Sequence, residues 1–361
     1  MIVAAIASIV GVFLAVTLWL LNPEPLRAKI LAFLSFQRQL DVRFLADLEA
    51  KGLTIKNREL LQSPRTARLY RNIFWPVVPP ISPNLIHGAF IRYLVPLCEG
   101  GLRVTLFVFD EYAAIVRGRP TSVAKSDANL FVNALKTMGL SRCNLRVVYQ
   151  SDIASVSRRA VRVLPAVFRC LGTLGRADLD RMSATKPYMS EDVKAIRYLK
   201  PILNMVYMLT VKGRYGFVLS GMDEEPLWSA FKEIVMREHV GVAPVCLYIP
   251  IMKGVSAGGT HGLDETTNVV ATDNIEDIKK KVYKGLECLE KGNALSYFLE
   301  NIFYSMGNVV RMKDGEGWAE SSSISDLFAR LKARNSDCEG AVVSITNGIK
   351  ALFSGSLMSQ N

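Results

Sequence analysis

The stretch that most constrains this chain is residues 73–112, IFWPVVPPISPNLIHGAFIRYLVPLCEGGLRVTLFVFDEY. Ile73–Val78 is a short apolar, β-favouring run stopped by Pro79-Pro80, and Leu85–Leu97 spaces its apolar residues at three and four until Gly100-Gly101 ends the pattern. Leu102–Phe109 follows as a near-continuous Val/Leu/Phe run, the pattern of a parallel strand covered on both faces. Strand, helix and strand make one right-handed βαβ unit. Ligands of such a unit bind where the first strand's carboxyl end meets the helix N-terminus, here Pro79–His87. A phosphate loop would carry glycines and small residues so that backbone N–H groups can approach the anion. This loop carries prolines, Ile81 and Ser82 instead.

Met1–Leu21 has no charged side chain and is long enough, at about 1.5 Å per residue, to cross the hydrocarbon core of a bilayer. It reads as a transmembrane anchor over residues 1–22. A cleaved signal peptide is the rival, opposed by the lack of a basic leader and of a clear small-x-small site before Asn22-Pro23. Arg27, Lys29 and Arg38 follow the apolar run, so the positive-inside rule keeps the large domain on the cytosolic or organelle-matrix side. The sequence does not distinguish a mitochondrial from an endoplasmic reticulum membrane.

The net charge of +11 over 361 residues favours a polyanionic partner, nucleic acid or anionic lipid. The six cysteines, Cys98, Cys143, Cys170, Cys246, Cys288 and Cys338, form no CxxC pair, so neither zinc ligation nor a disulfide framework is indicated and a reducing compartment fits. His87, His239 and His261 lie in no GxSxG context, which disfavours a Ser-His-Asp hydrolase.

Residues 23–65 read as a helical lead-in, with Gly52 as a stop. Residues 66–252 continue the β-α alternation: helices over Ser126–Met138, Ser151–Leu174, Ser190–Val211 and Glu225–Glu238, and strands over Leu145–Tyr149, Tyr215–Leu219 and Val245–Ile251. The Gly/Ser/Thr-rich residues 253–270 read as a mobile loop. Residues 271–361 read as a mainly helical domain, with helical spacing over Ile275–Leu289, Ala294–Met306, Ser325–Lys332 and Gly340–Leu352 and a short strand near Val309–Lys313.

The order of these elements, with IFW, LFVFDEY, SGMDEEPLWSAFKEI, ATDNIEDIKKKVYKG and NALSYFLENIFYSMGNVVRMKDGEGW, resembles the eukaryotic and archaeal type of tyrosyl-tRNA synthetase, a class I enzyme. The resemblance runs from about Leu40 to the carboxyl end. It implies an α/β, Rossmann-like catalytic domain with a parallel sheet and an inserted helical segment, followed by a helical anticodon-binding domain.

It also implies site positions. The family's His-x-Gly-His motif falls on Asn84-Leu85-Ile86-His87, where only His87 could serve. The Lys-Met-Ser-Lys-Ser type loop falls between Lys253 and Leu263, where Lys253 is the only lysine. Adenylation needs positive charge aimed at the pyrophosphate, and this loop supplies at most one. Asp223 aligns with an element that contacts substrate and ribose, and Asp110 with an acidic residue after the second strand; a capping or loop aspartate is the alternative for both. Phe74 takes the place of a substrate-contacting tyrosine, and Lys200, Asn204 and Tyr207 that of a helix presenting Tyr, Gln and Asp. Trp318 and Asp337 take the places of the residues that read the first anticodon base, and Lys280 and Lys284 lie on a basic helix that could meet the tRNA backbone. A turn-flanking anchor, an N-cap and a solvated helix face are the plain alternatives.

The expectation is therefore a synthetase-like protein that has lost aminoacylation and serves as a membrane-anchored binding or structural component of a larger assembly or homodimer. It needs no cofactor or metal. The alternatives are an active tyrosine-tRNA ligase, with ATP and Mg, working through His87, Lys253 and Asp223, and a tRNA-binding protein that uses only its carboxyl domain.

Overall fold

The computed structural model describes residues 42–61, 72–154, 203–204, 207, 215–237, 243–250, 252, 254–255, 268–287, 293–314, 317–332 and 336–356. The expected anchor, most of the inserted helical segment, Lys200, Lys253 and the centre of the loop at 253–270 lie outside these residues. Among the described residues no helix is long and apolar enough to cross a membrane.

The chain enters through α1 (Val42–Ala50), turns at Gly52 with φ +92°, and forms the short strand β1 (Thr54–Lys56). Then come β2 (Asn72–Val77), α2 (Leu85–Glu99) and β3 (Arg103–Val108), the βαβ unit that the sequence pattern predicts. Helix α3 (Asp110–Arg117), α4 (Thr121–Thr137), β4 (Asn144–Tyr149), the short α5 (Gln150–Ala154), β5 (Tyr215–Gly221), α6 (Glu225–Arg237) and β6 (Val245–Ile249) complete the α/β part. The six strands lie in the order β1-β6-β5-β2-β3-β4, parallel except for β1, which runs antiparallel along β6.

Period-two alternation splits the strands between two cores. Ile73, Trp75, Val77, Val104, Leu106, Val108, Phe217 and Leu219 face α2, and the Trp75 ring stacks on Phe90 of that helix at 5.2 Å. Phe74, Phe107 and Val218 face the other way, toward Leu227, Trp228 and Phe231 of α6.

Three features differ from the sequence pattern. Residues read as helical lead-in include β1, which has only three residues between turns at Gly52 and Asn57, too few to show a period, and is fixed by pairing with the distant β6. Helix α3 was hidden by its brevity, and its stop is Gly118 at φ +61°. Helix α4 starts at Thr121, after Pro120, rather than near Ser126.

The carboxyl part holds α7 (Ile275–Glu287), then α8 (Ala294–Phe298), which continues as a π turn (Leu299–Phe303) and a 3-10 turn (Tyr304–Met306). A hairpin of β7 (Val310–Asp314) and β8 (Gly317–Ser321) follows, then α9 (Ile324–Lys332), β9 (Ser336–Asp337) and α10 (Cys338–Phe353). The helical reading thus gains a three-stranded sheet, β8-β7-β9. Strand β8 escaped notice because its exposed positions carry no apolar alternation.

This part is not a separate bead. Its residues Val282, Leu295, Phe298, Ile345, Ile349 and Leu352 share one core with the sheet and α2. A Cβ at Gly88 of α2 would meet Leu352 at 2.8 Å, so the helices approach closely there. The Tyr93 hydroxyl of α2 donates to the Lys51 carbonyl after α1 and lies 2.5 Å from the Tyr297 hydroxyl of α8. Within the carboxyl part, a Cβ at Gly348 would lie 2.4 Å from the Phe303 ring. Gly348→Ala is expected to destabilise the fold by about 1–3 kcal/mol through overpacking. A urea midpoint equal to that of the parent would contradict this packing.

Candidate functional site

The carboxyl end of β2 leads through Pro79–Asn84 into α2, the place where a ligand of this fold would meet backbone N–H groups. Three of those groups, on Asn84, Ile86 and His87, are already engaged. Asn84 is the N-cap, and its Oδ1 accepts from the N–H of Ile86 at 3.1 Å and of His87 at 3.4 Å. His87 Nδ1 lies 2.8 Å from Asn84 Oδ1 and 3.2 Å from the Asn84 N–H, which makes a capping box with histidine in the third position. The two aligned positions, 84 and 87, therefore bind each other.

The His87 ring is 7% exposed and stands edge-on to Phe131 of α4 at 5.0 Å. Burial lowers its pKa from 6.5 to about 3, so it is neutral in the folded protein at ordinary pH. The turn is also covered from the carboxyl part. Pro83 O accepts from the Ala271 N–H at 2.8 Å, Asn84 and Val270 form an isolated antiparallel bridge, and the Val270 N–H donates to Asp273, itself paired with Lys281 at 2.8 Å. Arg117 of α3 donates to Pro79 O at 2.6 Å. Among the described residues the buried Ser82 Oγ has no hydrogen-bond partner.

Beside this turn, the carboxyl ends of β3 and β4 are locked together. Asp110 is fully buried and accepts from the Ser151 N–H at 3.1 Å and from Ser151 Oγ at 2.5 Å. In return Gln150 Oε1 accepts from the Tyr112 N–H at 3.1 Å. Each side chain thus bonds a first-turn N–H of the other's helix, so Asp110 is a capping residue here. Lys125 pairs with Asp152 at 2.5 Å and lies 5.9 Å from the centre of the Tyr149 ring. Burial, then the neighbouring Asp110 charge, raises the Glu111 carboxyl.

The remaining aligned positions fall on the α6 side of the sheet. Phe74 is fully buried between Phe107 at 5.8 Å and Trp228 at 6.3 Å. Tyr207 lies 4.4 Å from Phe107 and 6.3 Å from Phe109, and burial, then Glu111 and Asp110, push its hydroxyl pKa well up. Phe74 and Tyr207 are thus joined through Phe107 into one aromatic layer, which Phe109 extends. Asn204, three residues before Tyr207, is fully buried, and among the described residues neither amide atom has a hydrogen-bond partner. Asp223 sits in a 3-10 turn after β5, tucked so close that a Cβ at Gly221 would lie 2.2 Å from its Oδ1. Its neighbour Glu224 is buried and accepts from Ser220 Oγ at 2.5 Å.

In the carboxyl part strand register does what sequence spacing cannot. Lys313 on β7 pairs with Trp318 on β8 and with Asp337 on β9, so the two aligned positions flank Lys313 in one cross-strand row. Trp318 is 70% exposed, and a Cβ at Gly340 would lie 3.3 Å from its Cζ3. The next row on that face is the Arg311–Glu320 pair at 2.9 Å. Lys280 and Lys284 are exposed one helical turn apart on α7, while Lys279 is bonded to Glu276. Sequence reasoning passed over Gln150, Phe107, Phe109 and Lys313. Only Gln150 had a local signal, a polar residue at a strand-to-helix junction.

No family model matches the chain. The tyrosine-tRNA ligase of Haloarcula marismortui is 28% identical over 86 residues, 23% of this chain, so the match spans a quarter of that relative's length. Among solved structures, tyrosyl-tRNA synthetase from Archaeoglobus fulgidus, complexed with L-tyrosine, superposes with TM-score 0.65 at 15% identity, covering 84% of this chain and 93% of that one. The Leishmania major tyrosyl-tRNA synthetase bound to tyrosinol gives 0.69 at 13%, covering 86% and 61%. Tryptophanyl-tRNA synthetase from Aeropyrum pernix gives 0.62 at 13%, covering 85% and 82%. The fold is that of a class I tyrosyl-tRNA synthetase, and the relationship in sequence is distant.

The buried neutral His87 makes stability depend on pH. Between pH 6.5 and about 3 the unfolded chain protonates this histidine and the folded chain does not, so stability falls as pH falls. From pH 7.5 to 5 the loss from this residue is up to about 2 kcal/mol. His87→Gln is expected to be less stable at pH 7.5 but to lose less on acidification, read from urea midpoints at the two pH values. Equal losses in parent and variant would contradict the assignment.

Proposed function

We propose that this chain is a tyrosyl-tRNA synthetase-like protein that forms no aminoacyl-adenylate and acts as a membrane-anchored binding or structural component of a larger assembly. The observation that carries the reading is the start of α2, where the Asn84 side chain takes the Ile86 and His87 N–H groups and His87 is turned inward as its partner. ATP phosphates would have to displace this cap and would meet a neutral imidazole in place of a donor aimed outward. The residues present do not fit that group.

Tyrosine fares similarly. Its ammonium and phenol need polar partners, each costing roughly 1–3 kcal/mol if buried unpaired. The positions aligned with substrate contacts instead carry Phe74 and Tyr207, packed on Phe107 in a continuous aromatic layer. The anchor rests on Met1–Leu21, which has no charged side chain. The test is tyrosine-dependent exchange of pyrophosphate into ATP by the purified full chain. No exchange above the blank is expected, and tyrosine-dependent exchange would overturn the proposal.

One observation favours a second activity on the same scaffold, contact with tRNA through the carboxyl part. The exposed Trp318 ring stands in one row with Lys313 and position 337, a stacking surface beside a cation. Stacking is worth roughly 1–3 kcal/mol per base, so Trp318→Ala is expected to weaken tRNA binding about 5- to 150-fold. Unchanged affinity at moderate salt would remove this reading.

A further inference from the structure

Where α3 turns into α4 the chain reads Arg117-Gly118-Arg119-Pro120-Thr121-Ser122-Val123, and each residue from Gly118 to Val123 is exposed. The turn is made at Gly118, with φ +61°, and an added Cβ there would meet open space. Helix α4 begins after Pro120 without a side-chain cap, and among the described residues neither the Thr121 nor the Ser122 hydroxyl has a hydrogen-bond partner. Backbone bonds hold this first turn, the Val123 and Ala124 N–H groups donating to Pro120 O at 3.1 Å. Arg119 pairs with Asp127 at 3.2 Å on the surface, a contact that contributes little and is readily given up. Arg117 is half-buried and donates to Pro79 O, so Arg119 is the guanidinium more open to a partner.

These residues form a pattern that occurs once in the chain: at no other place do two arginines stand two residues apart. Ser122 follows Arg119 by three residues and Arg117 by five, and the apolar Val123, 42% exposed, comes directly after it. A guanidinium fork at a fixed offset from a hydroxyl suits a carboxylate-lined subsite, and an exposed apolar neighbour suits a hydrophobic one. Protein kinases select their substrates by charge patterns of this sort. We propose that Ser122 is a phosphorylation site, the acceptor for a serine/threonine protein kinase that reads the arginine three residues before it and takes its phosphoryl group from ATP. The serine Oγ attacks the γ-phosphorus of ATP. Its bond to phosphorus forms as the bond from that phosphorus to the β–γ bridging oxygen breaks, ADP leaves, and the hydroxyl proton passes to a carboxylate of the kinase.

The phosphate would stand on the first turn of α4, beside N–H groups that no intrahelical carbonyl reaches, so its charge is stabilised by the positive end of the helix. Arg119, three residues earlier, can exchange Asp127 for it. Helix α4 also carries Phe131, the ring that stands against His87, so the modification bears on an element packed on the start of α2. Phosphate transfer to this turn is independent of adenylate formation by the chain.

The test incubates the purified full chain with ATP and the catalytic domain of a serine/threonine kinase that prefers arginine three residues before its acceptor, then maps the products by mass spectrometry. About one phosphoryl group per chain is expected, on Ser122. Ser122→Ala should remove it, Thr121→Ala should leave it, and Arg119→Ala should slow its transfer at least about tenfold. A synthetic peptide of residues 115–126 and circular dichroism of each variant separate recognition from folding. The phosphorylated chain should have a higher urea midpoint than the parent, and phosphatase should reverse the gain. No phosphate on Ser122 of the folded chain, with or without transfer to the peptide, or transfer only to other residues, would overturn the proposal. An unchanged midpoint would overturn the effect assigned to α4.

Discussion

The first turn of the Leu85–Glu99 helix is the constraint on which the rest of this structure depends. Asn84 and His87 close it with a capping box, the Phe131 ring stands against the histidine, and the Pro83–Ala271 and Asn84–Val270 contacts bring the carboxyl part down over it. A helix start in this position normally offers its free N–H groups and positive end to an anion. Here the same groups stabilise the chain's own turn and its closure by a distant segment. This helix start is thereby a structural joint between the sheet and the carboxyl part.

That joint also explains why the two parts of the molecule share a core. Helix α2 is covered by the sheet through the Trp75–Phe90 stack on one side and by Leu352 and its neighbours on the other. Buried on both sides, it has little freedom to tilt or to open a cleft at its N-terminus. The aromatic layer of Phe74, Phe107, Phe109 and Tyr207 acts similarly on the opposite face through close ring packing. The Asp110–Ser151 and Gln150–Tyr112 bonds then fix the strand ends between the two cores.

The frame was legible in the sequence because its signals are local. Continuous apolar runs, proline and glycine stops and helical spacing fix β2, α2, β3 and β4 within a residue or two. What escaped is fixed by partners distant in the chain. Strand β1 exists through β6, β8 through β7, and the row of Trp318, Lys313 and Asp337 only through the register of three strands. The direction in which Phe107 faces follows from the parity of the strand, yet what it meets there depends on α6 and Tyr207. His87 shows the limit most clearly. That it closes a capping box with Asn84 and stands against Phe131 is not given by its alignment.

The most direct measurement is equilibrium titration of the full chain with ATP and, separately, with tyrosine, by calorimetry. If the joint and the aromatic layer are as described, neither ligand gives saturable heat up to about 1 mM, the range where binding would be worth only about 4 kcal/mol. Saturable binding of one equivalent of either ligand in the micromolar range would contradict the account.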